Sequence, residues 1–190
     1  MIARRILVVL AVALIALPAA AQDQDAAMEA WTKAATPGPV HQFFAKMAGD
    51  WHIQASQWMQ PGADPMVSES TSHTEMVLGG RFLVEHVKGT SMGMPFEGMG
   101  SLGYDNTTGT VTSTWIDNFG TVTTVMKGTY PEPGKPLEMS GTMIEPSSGM
   151  EMTMRSVTEF HDDGSHTNTM YMSMAGMPDM KAMVLEYTRK

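Results

Sequence analysis

The chain has 190 residues, a formal charge of −8 and no cysteine. Disulfides, thiol nucleophiles and thiolate metal sites are therefore excluded. The acidic balance disfavours nucleic acid and anionic membrane surfaces as partners. Thr, Ser, Val and Gly give a β-rich texture, and 21 methionines give an unusual thioether content.

Residues 1–21 read as a cleavable export signal. Arg4 and Arg5 supply a positive start, residues 6–17 an apolar run, Pro18 a break, and Ala19-Ala20-Ala21 the small residues before cleavage. The run of 12 residues falls short of the roughly 20 that a membrane-spanning helix requires. Cleavage leaves 169 of the 190 residues, beginning at Gln22, and moves the formal charge from −8 to −10. The expected location is the periplasm or the exterior, with no stable membrane insertion after cleavage. That length suits one domain with its own core.

Residues 22–40 are polar and Ala-rich and close on Pro37-Gly38-Pro39. They read as a flexible N-terminal segment with a short helix over 25–34. Residues 41–48 place Phe43, Phe44 and Met47 on one side, a short amphipathic helix stopped by Gly49. Such a helix, leading into the first strand, is placed to cover one end of a barrel.

Beyond Gly49 the pattern changes to short β segments near 50–58, 67–78, 81–89, 97–104, 110–117, 120–129, 137–144, 150–161, 165–174 and 181–188. The turns between them carry specific signals: Pro61-Gly62, Gly79-Gly80, Asp105-Asn106 with Gly109, Asp117-Asn118, Pro131 to Pro136, Pro146 to Gly149, Asp162-Asp163-Gly164, and Gly176 to Asp179. Connections this short hold no crossover helix, so the strands run antiparallel and in sequence. An open sheet of about ten strands would expose two long edges, and closure removes them. The expected fold is all-β: an antiparallel meander β-barrel of about ten strands over residues 41–190, with a short N-terminal helix. A β-sandwich is the structural alternative.

Strand faces are mixed. One face of 150–160 carries Met150, Met152, Met154, Ser156, Thr158 and Phe160, and one face of 166–174 carries His166, Asn168, Met170, Met172 and Met174. Such faces suit a barrel with a partly polar, incompletely filled interior, and flexible Met lines irregular pockets well. The candidate pocket residues are Glu75, Glu85, Trp115, Arg155, Tyr171 and Tyr187. Glu75, Glu85 and Glu97 have Arg81 and Arg155 as possible partners, either as a pocket anchor or as a structural ion pair.

No metal and no cofactor is expected. Thioethers do select soft ions such as Cu(I), and the minority reading takes Met150, Met152, Met154, Met170, Met172 and Met174 as ligands. A heme pocket would need an axial histidine, and none of His52, His73, His86, His161 and His166 is singled out. No G-x-S-x-G elbow and no H-E-x-x-H motif is present. Gly98 to Gly103 matches the letters of a G-x-G-x-x-G phosphate loop, but no βαβ unit surrounds it; the glycines read as relief of crowding in a strand.

Several motifs together resemble the bacterial family catalogued as domain of unknown function 1579. They are Met47-Ala48-Gly49-Asp50-Trp51, Leu78-Gly79-Gly80-Arg81-Phe82-Leu83, Phe96 through Gly103-Tyr104-Asp105-Asn106, Trp115-Ile116-Asp117 with Gly120-Thr121, Arg155, and Tyr187-Thr188-Arg189. The resemblance covers roughly residues 41–189. It implies a calycin-type barrel, broadly similar to lipocalins and fatty-acid-binding proteins, and carries no catalytic residues with it. The chain departs from heme-binding barrel relatives in having no distinctive C-terminal histidine.

The expected function is binding of a small apolar or amphipathic ligand inside an exported barrel. The alternatives are a structural or interaction protein with a packed barrel, a hydrolase or isomerase using interior polar groups, and a methionine-based copper binder.

Overall fold

The computed structural model describes residues 17–130, 135–174 and 177–190. Most of the expected export signal lies outside the described residues, as do parts of the turns expected at 131–136 and 176–179.

The first helix, α1, spans Leu17–Ala35. It is longer than the helix expected over 25–34. Its Ala-rich sequence contains neither Gly nor Pro after Pro18, and Pro is tolerated in a first turn. Thr32 and Thr36 donate their hydroxyls back to Met28 O (2.8 Å) and Thr32 O (2.6 Å). The helix ends ahead of Pro37, whose ring disfavours helical backbone in the residue before it.

The second helix, α2, spans Pro39–Ala45, with Pro39 in its first turn. The Gly38 N–H donates to His41 Nδ1 at 3.0 Å, which fastens the start. Phe44 is fully buried, packed with Leu83, Val111, Met126, Leu137 and Met154. Phe43 meets Tyr130 and Phe160 edge-on at 5.6 and 4.8 Å.

Ten strands follow: β1 Gly49–Gln57, β2 Met66–Val77, β3 Phe82–Ser91, β4 Met94–Asp105, β5 Thr110–Asp117, β6 Thr124–Thr129, β7 Leu137–Ile144, β8 Glu151–Phe160, β9 His166–Met174 and β10 Met180–Arg189. Each pairs antiparallel with its sequence neighbour, and β10 returns to β1, so the sheet is a closed barrel. The closing register runs from Trp51 opposite Arg189 to Gln57 opposite Met183. Among the described residues every strand has a neighbour on both sides, although β6 and β7 share only two register pairs, Lys127 with Ser140 and Gly128 with Met139. Odd strands begin, and even strands end, at the end of the barrel that α2 covers. The other end is the rim, made by the turns after β1, β3, β5, β7 and β9.

The covered end is drawn together by Trp51 and Arg189. Trp51 Nε1 donates to Met47 O at 2.9 Å. The Arg189 guanidinium lies 4.4 Å from the centre of the Trp51 ring and donates to Ala48 O and Lys46 O.

Two boundaries differ from the sequence expectation. β6 begins at Thr124, not near 120. Side chains hold the preceding residues in a turn: Asp117 Oδ1 accepts from Phe119 N (2.9 Å), and Asn118 Oδ1 from Glu97 N (3.0 Å). β3 and β4 run almost into each other, joined by Met92-Gly93 alone, with φ of 52° and 76°. Left-handed backbone at both positions is the signature of a tight hairpin turn whose usual first residue is Asn, Asp or Gly. Methionine at that position hides the signal.

Gly98 and Gly100 lie inside β4, not in a phosphate loop. A Cβ on Gly98 would sit 2.3 Å from Trp115 Cζ2, and one on Gly100 3.1 Å from Cε3. The bare backbone is a shallow seat on which the Trp115 indole lies flat, and the indole donates to Asp117 Oδ2 at 2.8 Å. Gly98→Ala is expected to displace the ring and to lower stability by about 1–3 kcal/mol. Gly93→Asn, at an open left-handed position, should stay within about 0.5 kcal/mol. Urea denaturation of both variants checks the contrast.

Candidate functional site

The inward-facing side chains enclose a cavity of about 450 Å³ that reaches the rim at Ser91, Met92 and Phe119. Its walls differ in chemistry. On β1 to β3 it meets small polar residues, among them Ser68, Ser70 and Thr74, together with Glu85. On β6 to β10 it meets Met126, Met139, Met143, Met154, Met170 and Met172. Near the rim it meets Phe96, Trp115 and Phe119. Phe96 stacks on Trp115 with ring centres 6.3 Å apart, and Phe119 meets Phe96 edge-on at 5.3 Å.

The deep end is polar. Burial raises the Glu85 carboxyl above its ordinary range, while the nearby Ser72 and Tyr187 hydroxyls pull the other way. Glu85 Oε1 and Ser72 Oγ are buried and have no hydrogen-bond partner among the described residues. Burial and the neighbouring Glu85 charge hold the Tyr187 hydroxyl well above its usual value, so it stays protonated. His166 stacks on Tyr187 at 4.2 Å and meets Trp51 edge-on at 4.9 Å. Burial first, then the charges of His161 and Arg189, lower His166 to about 4. It is neutral at pH 7. Asn168 Nδ2 donates to Ser156 Oγ (2.7 Å) and Thr158 Oγ1 (2.8 Å), which completes a satisfied polar group beside it.

Of the six candidate pocket residues, Glu85, Trp115 and Tyr187 line the cavity. Glu75, Arg155 and Tyr171 do not. Each sits between two inward-facing residues: Glu75 between Thr74 and Met76, Arg155 between Met154 and Ser156, Tyr171 between Met170 and Met172. Alternation along a strand sends all three to the outer surface. There Arg155 Nε pairs with Asp179 Oδ2 at 3.1 Å, and its guanidinium covers the Tyr171 ring at 4.2 Å. Glu97 also faces outward, 3.5 Å from Lys88. Glu85 has no arginine among the partners that set its carboxyl.

Strand pairing assembles the methionines that linear spacing leaves apart. Met154 stands opposite Met172, and Met152 opposite Met174. Met170 stands opposite Met183. Met150 lies ahead of β8 and is 52% exposed. Among the described residues no group of three or more His, Asp or Glu is placed to hold a metal ion. No described helix is long and apolar enough to cross a membrane. His166, Ser70 and Phe96 line the cavity and were not among the expected pocket residues. His166 had a signal, since it shares a strand face with Met170 and Met172.

These features define a closed antiparallel ten-stranded barrel around an interior cavity. The chain belongs to the family described as "Protein of unknown function (DUF1579)", which matches residues 36–189. The barrel is similar to a solved structure titled "Crystal Structure of Rv2717c from M. tuberculosis", with a TM-score of 0.60 and 17% identity over 82% of this chain and 99% of that one. At that identity the likeness is one of fold. No curated protein matches the chain.

Burial of neutral His166 makes stability depend on pH. Its value of about 4 in the folded chain lies below the ordinary 6.5. Between these the unfolded chain binds the extra proton, so stability is full above pH 6.5 and is lost as the pH falls toward 4. The loss approaches about 3 kcal/mol. Glu85 works in the opposite direction, so the comparison needs a variant. His166→Phe keeps a stacked ring and removes the titration. Its urea-unfolding free energy should fall less than that of the wild type between pH 7.5 and pH 4.5.

Proposed function

We propose that the protein binds a small apolar or amphipathic molecule inside its barrel, in the manner of lipocalin-like carriers, and acts outside the cytoplasm after removal of residues 1–21. The observation that carries this reading is the interior: about 450 Å³ of space, within the roughly 300–1,000 Å³ typical of ligand pockets. A packed barrel would leave no such volume. The walls support the reading as well. Thioethers and aromatic rings offer apolar contact, and a few converging polar groups at the deep end fix an orientation.

The test is saturable binding of an uncharged environment-sensitive fluorophore, N-phenyl-1-naphthylamine. One site with a dissociation constant near about 1–10 μM is expected. Ala55 lines the cavity from β1, and Ala55→Phe places a ring in that space. This variant should weaken binding by at least about tenfold. Binding by the wild type that Ala55→Phe leaves unchanged would place the site elsewhere.

One observation favours a second reading, a soft-metal site. The pairs Met154/Met172 and Met152/Met174 bring thioethers onto neighbouring strands, where directly opposed side chains lie about 5 Å apart. Under that reading an anaerobic titration against a competing Cu(I) chelator gives one bound equivalent, which Met154→Leu with Met172→Leu abolishes. Affinity no tighter than micromolar removes it.

A further inference from the structure

We propose that the cavity selects ligands carrying a protonated amine over those carrying a carboxylate, with the Glu85 carboxyl group as the acceptor at the deep end. This rests on the reading of the barrel as a binding protein and goes on to specify its ligand class.

Three observations carry it. First, no Lys or Arg is among the described residues that line the cavity; the carboxylates there are Glu85 and Asp117. A carboxylate ligand would find no cation to pair with, and beside Glu85 one of the two acids would have to take up a proton. Second, Glu85 lines the cavity with the Ser72 and Tyr187 hydroxyls beside its carboxyl, and its buried Oε1 has no hydrogen-bond partner among the described residues. A buried unpartnered carboxyl oxygen is unfavourable until a donor reaches it. An ammonium group supplies three donors and the opposite charge. Third, the rim sets a π surface beside an acid. Phe96, Trp115 and Phe119 pack together there, and Asp117 Oδ2 accepts the Trp115 indole N–H at 2.8 Å. Aromatic faces and a carboxylate attract cations and repel anions on the way in. The chain's net charge of −8 acts in the same sense.

The geometry orders the ligand. Glu85, Ser72 and Tyr187 gather at the deep end, and Tyr187 packs in one cluster with Trp51 and Ile53. An amine seated there leaves its apolar chain against the methionine wall, directed toward the rim.

The experiment is displacement of bound N-phenyl-1-naphthylamine from the full chain by three compounds of one chain length: dodecylamine, dodecanol and dodecanoate. The amine should displace at about tenfold lower concentration than the carboxylate, with the alcohol between them. In Glu85→Gln the amine should fall to the level of the alcohol. The ranking on unmodified protein does not depend on how the variant folds. A carboxylate as effective as the amine overturns the proposal and leaves the binding barrel standing. An amine preference that survives in folded Glu85→Gln overturns the assignment to Glu85. Failure of the fluorophore to bind overturns the binding reading, and this proposal with it.

Discussion

Closure of β1 against β10 is the constraint on which the remainder of the barrel rests. A meander of ten strands has no interior until its first and last strands meet. Seven register pairs make that seam. At its covered end Arg189 reaches across to the carbonyls of Lys46 and Ala48 while lying over Trp51, and Trp51 ties itself to Met47. The last residues of the chain thus hold the exit of α2 and the entry of β1 together. Phe44, carried by α2, completes the core beneath the cavity. The motifs at residues 47–51 and 187–189 are distant in sequence and form one structural device.

Within that frame the interior is divided. The covered end is packed by aromatic rings and by large aliphatic and thioether side chains, whereas the middle and the rim are open. Burial of Glu85 works against stability above its ordinary titration range, because it penalises the charged form, whereas His166 costs stability only as the pH falls and Tyr187 only in strong base. A barrel selected for stability alone would place aliphatic side chains there. Polar groups left partly unsatisfied in a cavity are in keeping with the binding role proposed above.

The fold was largely legible in the sequence because turns are chemically explicit. Pro, Gly, Asn and Asp punctuate the chain often enough that all ten strands fall near their observed positions. The exceptions are instructive. Met92 occupies a left-handed turn position without the usual residue type. The delay of β6 depends on the side chains of Asp117 and Asn118 reaching backbone groups, two of them on β4. The site was less legible, for a physical reason. Alternation shows that Met154 and Arg155 point opposite ways, yet it does not say which points inward. That is decided when ten strands close together, so Glu75, Arg155 and Tyr171 could not be told from Glu85 and Tyr187 along the chain. The meeting of Met154 with Met172 is likewise a property of cross-strand register.

Under the proposed binding role, the methionine wall sets what kind of recognition the interior performs. Each unbranched side chain has three rotatable bonds, and ordering it around a guest forfeits up to about 2 kcal/mol of rotamer freedom. A wall built from such residues adapts its contour to the occupant and gives up affinity in doing so. Discrimination among tails of different shape is therefore weak by construction, and breadth of tail is the natural outcome. The proposed selectivity is then left to the short, rigid polar end, where rings and hydroxyls have little entropy left to lose.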